Sequence, residues 1–83
     1  MIEVTILNGE FSVNLDFFKN QDPYVKLEVD SQQYRTQVKH NAGKCASWRD
    51  DHFMVSGFTL KLKVFDHDIL QDDMIGESDL VDL

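Results

Sequence analysis

The sequence predicts an all-β fold, an antiparallel sandwich. Apolar residues recur with a period of two in four separate stretches. Turn-forming residues stand between several of these stretches, and none of them carries a sustained helical stripe. Side chains alternate across a strand, so each stretch offers one face to a core and one to water.

The elements follow in order. Ile2, Val4 and Ile6 alternate with Glu3, Thr5 and Leu7 in a first strand. The Phe11–Leu15 segment fits strand or coil equally. Val25, Leu27 and Val29 alternate with Tyr24, Lys26 and Glu28, and Tyr34, Thr36 and Val38 with Arg35, Gln37 and Lys39. Asp30 and Ser31 between these two are suited to a hairpin turn. A further strand is expected at His52–Val55. Leu60, Leu62 and Val64 then alternate with Lys61, Lys63 and Phe65, and a short last strand is expected at Glu77–Val81.

The chain has 83 residues, the length of one domain with a modest core. Its formal net charge is −7, so its overall field does not favour nucleic acid and repels anionic lipid unless a cation intervenes. The apolar runs are too short to span a bilayer. The N-terminal stretch has no basic segment of the secretory type. Cys45 is the single cysteine, which excludes an internal disulfide and a four-thiolate zinc site and favours a reducing, cytoplasmic setting. His40, His52 and His67 have no mutual ligand spacing, and no nucleophile–base constellation is visible, so the chain is not expected to be an enzyme.

The segment "VFDHDILQDDMIG", Val64–Gly76, places Asp66, Asp68, Asp72 and Asp73 in one loop region with Ile69 and Leu70 among them. Asp66 and Asp68 are two apart, so in an extended chain both carboxylates reach the same side. Two ionised carboxylates ~4 Å apart repel by about 4 kcal/mol at an effective dielectric of ~20. Such a cluster either takes up protons or gathers a hard cation, and calcium, with its flexible shell of oxygen ligands, suits carboxylates on loops. The competing reading is a solvated acidic loop. A helical calcium loop starting at Asp66 is excluded, because Gln71 stands where that loop needs glycine and the preceding segment is strand-like.

Two short motifs then carry a resemblance. "NQDPYVKLEV" is followed by "QQYRTQVK", a tryptophan and "LKLKVFDHDILQDDMIGE". In order and spacing, over nearly the whole chain, these segments resemble the C2 domain, a calcium- and lipid-binding β-sandwich. Asp22-Pro23-Tyr24-Val25 and Asp66-His67-Asp68 with Asp73 and Gly76 are the most specific pieces. The resemblance implies an antiparallel Greek-key sandwich over residues 1–83. It also implies Ca2+ ligands at Asp16, Asp22, Asp66, Asp68 and Asp73, with Asp72 as the alternative to Asp73, because the Asp68–Asp73 spacing is one residue shorter than in many members. The expected partner is an anionic phospholipid membrane. Phe17, Phe18, Ile69 and Leu70 would be its apolar contacts, and Phe17 or Phe18 singly has the alternative of packing in the core.

Some relatives bind phosphoinositide headgroups on a neighbouring face through a tyrosine and lysines. The matching residues are Tyr24 and Lys26, with Arg35 and Lys39 beside them, while Gln37 replaces a lysine that those relatives carry. One strand register sets Lys26 across from Arg35, and the other sets Glu28 there. A merely solvated basic face is the competing reading. The family pattern also differs around Trp48, where a bulge would restore the register. Trp48 itself is expected in core or sheet packing rather than as a stacking platform.

The family has a closing strand that pairs with the first, and this sequence stops short of it. An open edge beside Ile2–Leu7 is therefore expected, with the domain C-terminally incomplete as a truncated product or completed by another chain in a homodimer or strand-exchanged oligomer. The expectation is calcium-dependent, peripheral membrane association in the cytoplasm. Its rival is a calcium-independent protein-interaction module.

Overall fold

The computed structural model describes residues 1–11 and 20–83. Asp16, Phe17 and Phe18 lie outside the described residues, as does most of the Phe11–Leu15 segment. The described residues form strands and no helix: β1 (Ile2–Thr5), β2 (Asn8–Glu10), β3 (Pro23–Val29), β4 (Gln32–Arg35), β5 (Cys45–Ser47), β6 (His52–Val55), β7 (Thr59–Asp66), β8 (Asp73–Glu77) and β9 (Val81–Asp82). Every pairing is antiparallel. The main sheet runs β4-β3-β7-β8, and β9 pairs with the first residues of β7. Two further pairs, β1 with β6 and β2 with β5, supply the rest of the sandwich.

The core sits between these parts. Val25, Leu27 and Val29 are the inward positions of β3, and they cluster with Leu60 of β7, Val55 of β6 and Trp48. Val4, Ile6, Ala46, Phe53, Leu62 and Val64 pack against that cluster. The alternation in β3 follows the period of two, because Lys26 and Glu28 are only partly buried between fully buried neighbours. Trp48 is a core residue, and its indole N–H donates to the Gln37 carbonyl at 2.8 Å. This bond satisfies the single polar atom of a large buried ring.

The Asp30-Ser31 hairpin forms as expected, with Val29 opposite Gln32. Asp30 has φ 51°, a conformation that Asn and Asp tolerate better than most residues. Its carboxylate accepts the Phe58 and Thr59 amides at 3.1 and 3.2 Å and the Thr59 hydroxyl at 3.1 Å. The hairpin is thereby tied to the turn before β7. These donors, led by the Phe58 amide, hold the Asp30 carboxyl below its ordinary pKa. Gly57 closes the same corner. A Cβ there would lie 2.6 Å from Val29 Cγ1 and 2.8 Å from Asp30 Oδ2, too close for any other residue without movement.

β1 ends at Thr5 rather than running to Leu7, and three further features differ from the sequence expectation. First, β4 ends at Arg35 rather than continuing to Lys39. The amide of buried Thr36 still donates to the Val25 carbonyl at 2.9 Å, but its hydroxyl accepts the Val25 amide at 2.9 Å, so a side chain replaces one bond of the ladder there. Second, the late strand is β8 at Asp73–Glu77, not Glu77–Val81. Beyond Glu77 the Ser78 amide still donates to the Leu62 carbonyl at 2.8 Å, but the Ser78 hydroxyl takes the Leu62 amide at 2.9 Å, and strand pairing resumes only at β9. Third, the bulge lies between Val64 and Phe65 against β8, whereas β1 and β6 pair in unbroken register. A turn closed by the Asp51 amide on the Trp48 carbonyl at 2.9 Å absorbs the irregularity expected after the tryptophan. The short strands β2 and β5, which no periodicity announced, pair with each other.

Leu27→Ala should cost about 2–5 kcal/mol by urea denaturation, because the position is fully buried in the centre of the core. Asp30 gives a pH signature. Its folded pKa is depressed, so its contribution is complete above the unfolded value of about 3.9 and is lost as pH falls through the folded value. The stability advantage of wild type over Asp30→Asn should therefore be greatest near neutral pH and shrink below about pH 4, measured by thermal melting across that range.

Candidate functional site

The acidic residues meet at one end of the main sheet. Asp22 precedes Pro23, the first residue of β3. Pro23 stands opposite Asp66, the last residue of β7, and Asp66 stands opposite Asp73, the first residue of β8. Two neighbouring strands thus bring an aspartate to the same row, and Asp22 lies one residue before it on the third. Asp66 is fully buried, and its Oδ1 accepts the Asp22 amide at 2.8 Å. The His67 amide in turn donates to the Asp22 carbonyl at 2.9 Å. These two bonds lock the start of β3 to the exit of β7.

Asp22 is also buried, and a second loop wraps it. Its Oδ1 accepts the Asn41 amide at 2.6 Å, and His40 Nδ1 lies 3.9 Å from its Oδ2. Asn41 and Gly43 adopt positive φ of 60° and 70°, and the Gly43 amide donates to the Gln21 carbonyl at 3.0 Å. No motif in the sequence joins the His40–Gly43 segment to the acidic end. The available signal was the Asn-Ala-Gly turn composition, but composition does not say what a turn encloses.

β7 stops at Asp66, so the extended geometry expected through Asp68 does not hold. Residues 67–72 form a loop instead. Asp68 Oδ1 accepts the Ile69 amide at 2.6 Å, and Asp72 Oδ1 accepts the Asp68 amide at 3.0 Å. Asp72 Oδ1 also lies 3.1 Å from His67 Nδ1, and Oδ2 accepts the Tyr24 hydroxyl. Asp73 is exposed at the head of β8. Among the described residues no three His, Cys, Asp or Glu side chains are gathered closely enough to hold a metal ion. Asp68 has turned to an amide of its own loop, and Asp72 to the Asp68 amide and the Tyr24 hydroxyl of β3. The aspartates at this end, Asp22, Asp66 and Asp73, nevertheless offer only oxygen donors, which suit a hard cation rather than zinc. Ile69 and Leu70 project from the tip of this loop, each 95% exposed.

The outer face of the main sheet is basic and aromatic. Lys26 stands opposite Arg35, the first of the two registers left open by the sequence, and on its other side opposite Lys63. Like charges in such a row need relief. Lys63 finds it in Glu28 at 2.7 Å and Lys61 in Glu77 at 3.5 Å. The Lys63 ammonium holds the Glu28 carboxyl below its ordinary range. Lys26 lies 5.0 Å over the Phe65 ring and Arg35 4.7 Å over the Tyr24 ring. These are cation–π distances, and neither cation has an ion-pair partner among the described residues. Tyr24, only 2% exposed, stacks on Phe65 with ring centroids 5.6 Å apart. Burial, followed by its bond to the Asp72 carboxylate, pushes the Tyr24 phenol up to about 12. The same bond is the leading cause that lowers the Asp72 carboxyl. Tyr24 is thus engaged with the acidic loop rather than open to a headgroup. Lys39 runs beside the start of β3, its amide donating to the Pro23 carbonyl at 3.0 Å.

This architecture has relatives. The family described as "C2 domain" matches residues 1–80. The 16 kDa phloem protein 2 of Arabidopsis thaliana is 35% identical over 81 residues, covering 93% of this chain and 55% of that protein. Elicitor-responsive protein 3 of Oryza sativa subsp. japonica is 30% identical over 82 residues, covering 93% and 56%. The chain therefore spans about half the length of these curated relatives. Among solved structures, a C2 domain of plant extended synaptotagmin 1 aligns with TM-score 0.81 at 20% identity, covering 92% of this chain and 63% of that one. A C2 domain of RIM from Drosophila aligns with TM-score 0.81 at 19% identity, covering 96% and 72%. With a family match over nearly its whole length and the sandwich that the solved relatives share, this chain belongs to the C2 domain family.

Proposed function

We propose that this C2 domain is a calcium-dependent membrane-docking module. The observation that carries the reading is the exposure of Ile69 and Leu70 on the loop that joins the aspartates of β7 and β8. Such side chains are normally hidden, and here they flank acidic groups at one end of the sandwich. Asp22, Asp66, Asp68 and Asp73, with Asp16 from the segment outside the described residues, would hold the ion. Bound calcium would supply the positive charge that offsets the acidic end and open coordination for phosphate oxygens.

The chain's own residues do the rest. Before the ion arrives, the net charge of −7 opposes approach to anionic lipid. Once it is offset, Ile69 and Leu70 can enter the interface, joined by Phe17 and Phe18. Full burial of such a side chain is worth about 1.5–3 kcal/mol, and an interfacial position realises part of that. Two or four tips therefore give reversible docking rather than permanent anchoring. Lys26 and Arg35, resting on aromatic rings, offer a second contact for phosphate groups, with Lys39 near them. The resulting protein is a binding module without catalysis of its own, peripherally associated with a cytoplasmic membrane surface.

A second reading is favoured by a different observation. Asp68 and Asp72 already accept hydrogen bonds from their own loop and, for Asp72, from Tyr24, so these two carboxylates have donors without a cation. Among the described residues β1 pairs with β6 alone, which leaves an edge where a partner strand, including that of a second copy, could add. On this reading the domain is a calcium-independent protein-interaction module.

Calorimetric calcium titration and sedimentation with phosphatidylserine vesicles separate the two. The docking reading expects saturable calcium binding and sedimentation that EDTA reverses. Asp66→Asn should lose both. Sedimentation that ignores the chelator would mean lipid binding without calcium and would sink the calcium-dependent reading, whereas a folded protein that neither takes up calcium nor sediments with vesicles would move the conclusion to the second reading. Ile69→Ser combined with Leu70→Ser should weaken vesicle binding about 10-fold or more in calcium while the calcium titration stays as in wild type.

A further inference from the structure

Asp72 and Asp73 are adjacent acids with different surroundings. Asp73 is exposed in the strand row that contains Asp66. Asp72 has turned the other way, over the outer face of the sheet. One oxygen accepts the Tyr24 hydroxyl, and the other accepts the Asp68 amide at 3.0 Å and lies 3.1 Å from His67 Nδ1. Tyr24 cannot move to follow a flexible loop. Its ring is buried, stacked on Phe65, and covered by the Arg35 guanidinium at 4.7 Å. The loop that carries Ile69 and Leu70 is therefore fastened to a rigid point of β3, 48 residues away in sequence.

We propose that Asp72 is a positioning residue: through the Tyr24 hydroxyl it pegs the 67–72 loop to the sheet and presets the Ile69–Leu70 tip before any cation or membrane arrives. This deepens the docking reading and rests on it for its functional consequence. A tip held in place gives up less freedom on docking than a mobile one, so the peg acts on membrane affinity. It does not act as a cation ligand, because both Asp72 oxygens face donors of the sheet and loop. The same bond takes the Tyr24 hydroxyl out of any headgroup contact on the basic face.

The test is a double-mutant cycle with Tyr24→Phe, Asp72→Ala and the pair. Tyr24→Phe removes one oxygen and leaves the ring under Arg35. Amide hydrogen exchange of residues 67–72 in EDTA should quicken about 10-fold in Tyr24→Phe and at least as much in Asp72→Ala, which also frees the Asp68 amide, and the double should match Asp72→Ala. Calcium affinity without lipid should stay within about 3-fold of wild type, while vesicle affinity in calcium falls about 5-fold in all three variants. Loss of calcium binding in Asp72→Ala matching that in Asp66→Asn would overturn the proposal and make Asp72 a ligand. Additive effects, or loop exchange unchanged in Tyr24→Phe, would overturn the peg. Exchange in EDTA needs neither calcium nor vesicles, so the peg is judged even if wild type fails to dock.

Discussion

Asp66 is an acidic side chain with no exposure to water, placed where β7 ends. Burying a carboxylate is costly unless donors meet it. The Asp22 amide is one such donor, at 2.8 Å, and it comes from the residue that opens β3. The acidic end depends on that bond. It brings the two Asp-containing motifs together although 44 residues separate them. It also aligns β3 with β7, and β7 then carries β8 and β9. The strand that builds the core and the loop that carries the exposed tips are thus anchored at one point.

β3 has two jobs, divided by its alternation. Its inward side, Val25, Leu27 and Val29, is the centre of the core. Its outward side meets Arg35, Lys63 and Phe65. A row of cations on one sheet face would be unfavourable if left alone. Glu28 and Glu77 quench two of them, and aromatic rings support the other two. Tyr24 joins this face to the acidic loop, since its ring lies under Arg35 and its hydroxyl reaches Asp72. The two charged regions of the domain are therefore in mechanical contact through one buried phenol.

The strands with long alternation were legible because burial of one face imposes the period directly. Val25–Val29 and Leu60–Val64 are the clearest cases, and Ile2–Thr5 and His52–Val55 also formed strands. The hairpin at Asp30-Ser31 was legible from turn chemistry. Strands of three residues, such as Asn8–Glu10 and Cys45–Ser47, were not, because three residues are too few for a period to register. The end of β4 and the place of β8 were missed for another reason. Thr36 and Ser78 replace backbone ladder bonds with hydroxyl bonds, and nothing in the hydrophobic pattern marks such a substitution.

At the acidic end, the identity and order of Asp22, Asp66, Asp68 and Asp73 were readable, as was the presence of Ile69 and Leu70 between them. Composition and motif order were enough for the family and for the chemistry of the donor atoms, because these depend on residue type alone. The roles of near-identical neighbours were not readable. Asp72 and Asp73 differ by one position, yet the β7–β8 pairing leaves Asp73 in the strand row and turns Asp72 toward Tyr24. The enclosure of Asp22 by the Asn41 turn was equally hidden. Direction and enclosure arise from strand register and loop closure between distant segments, and a linear pattern of residue types does not contain them.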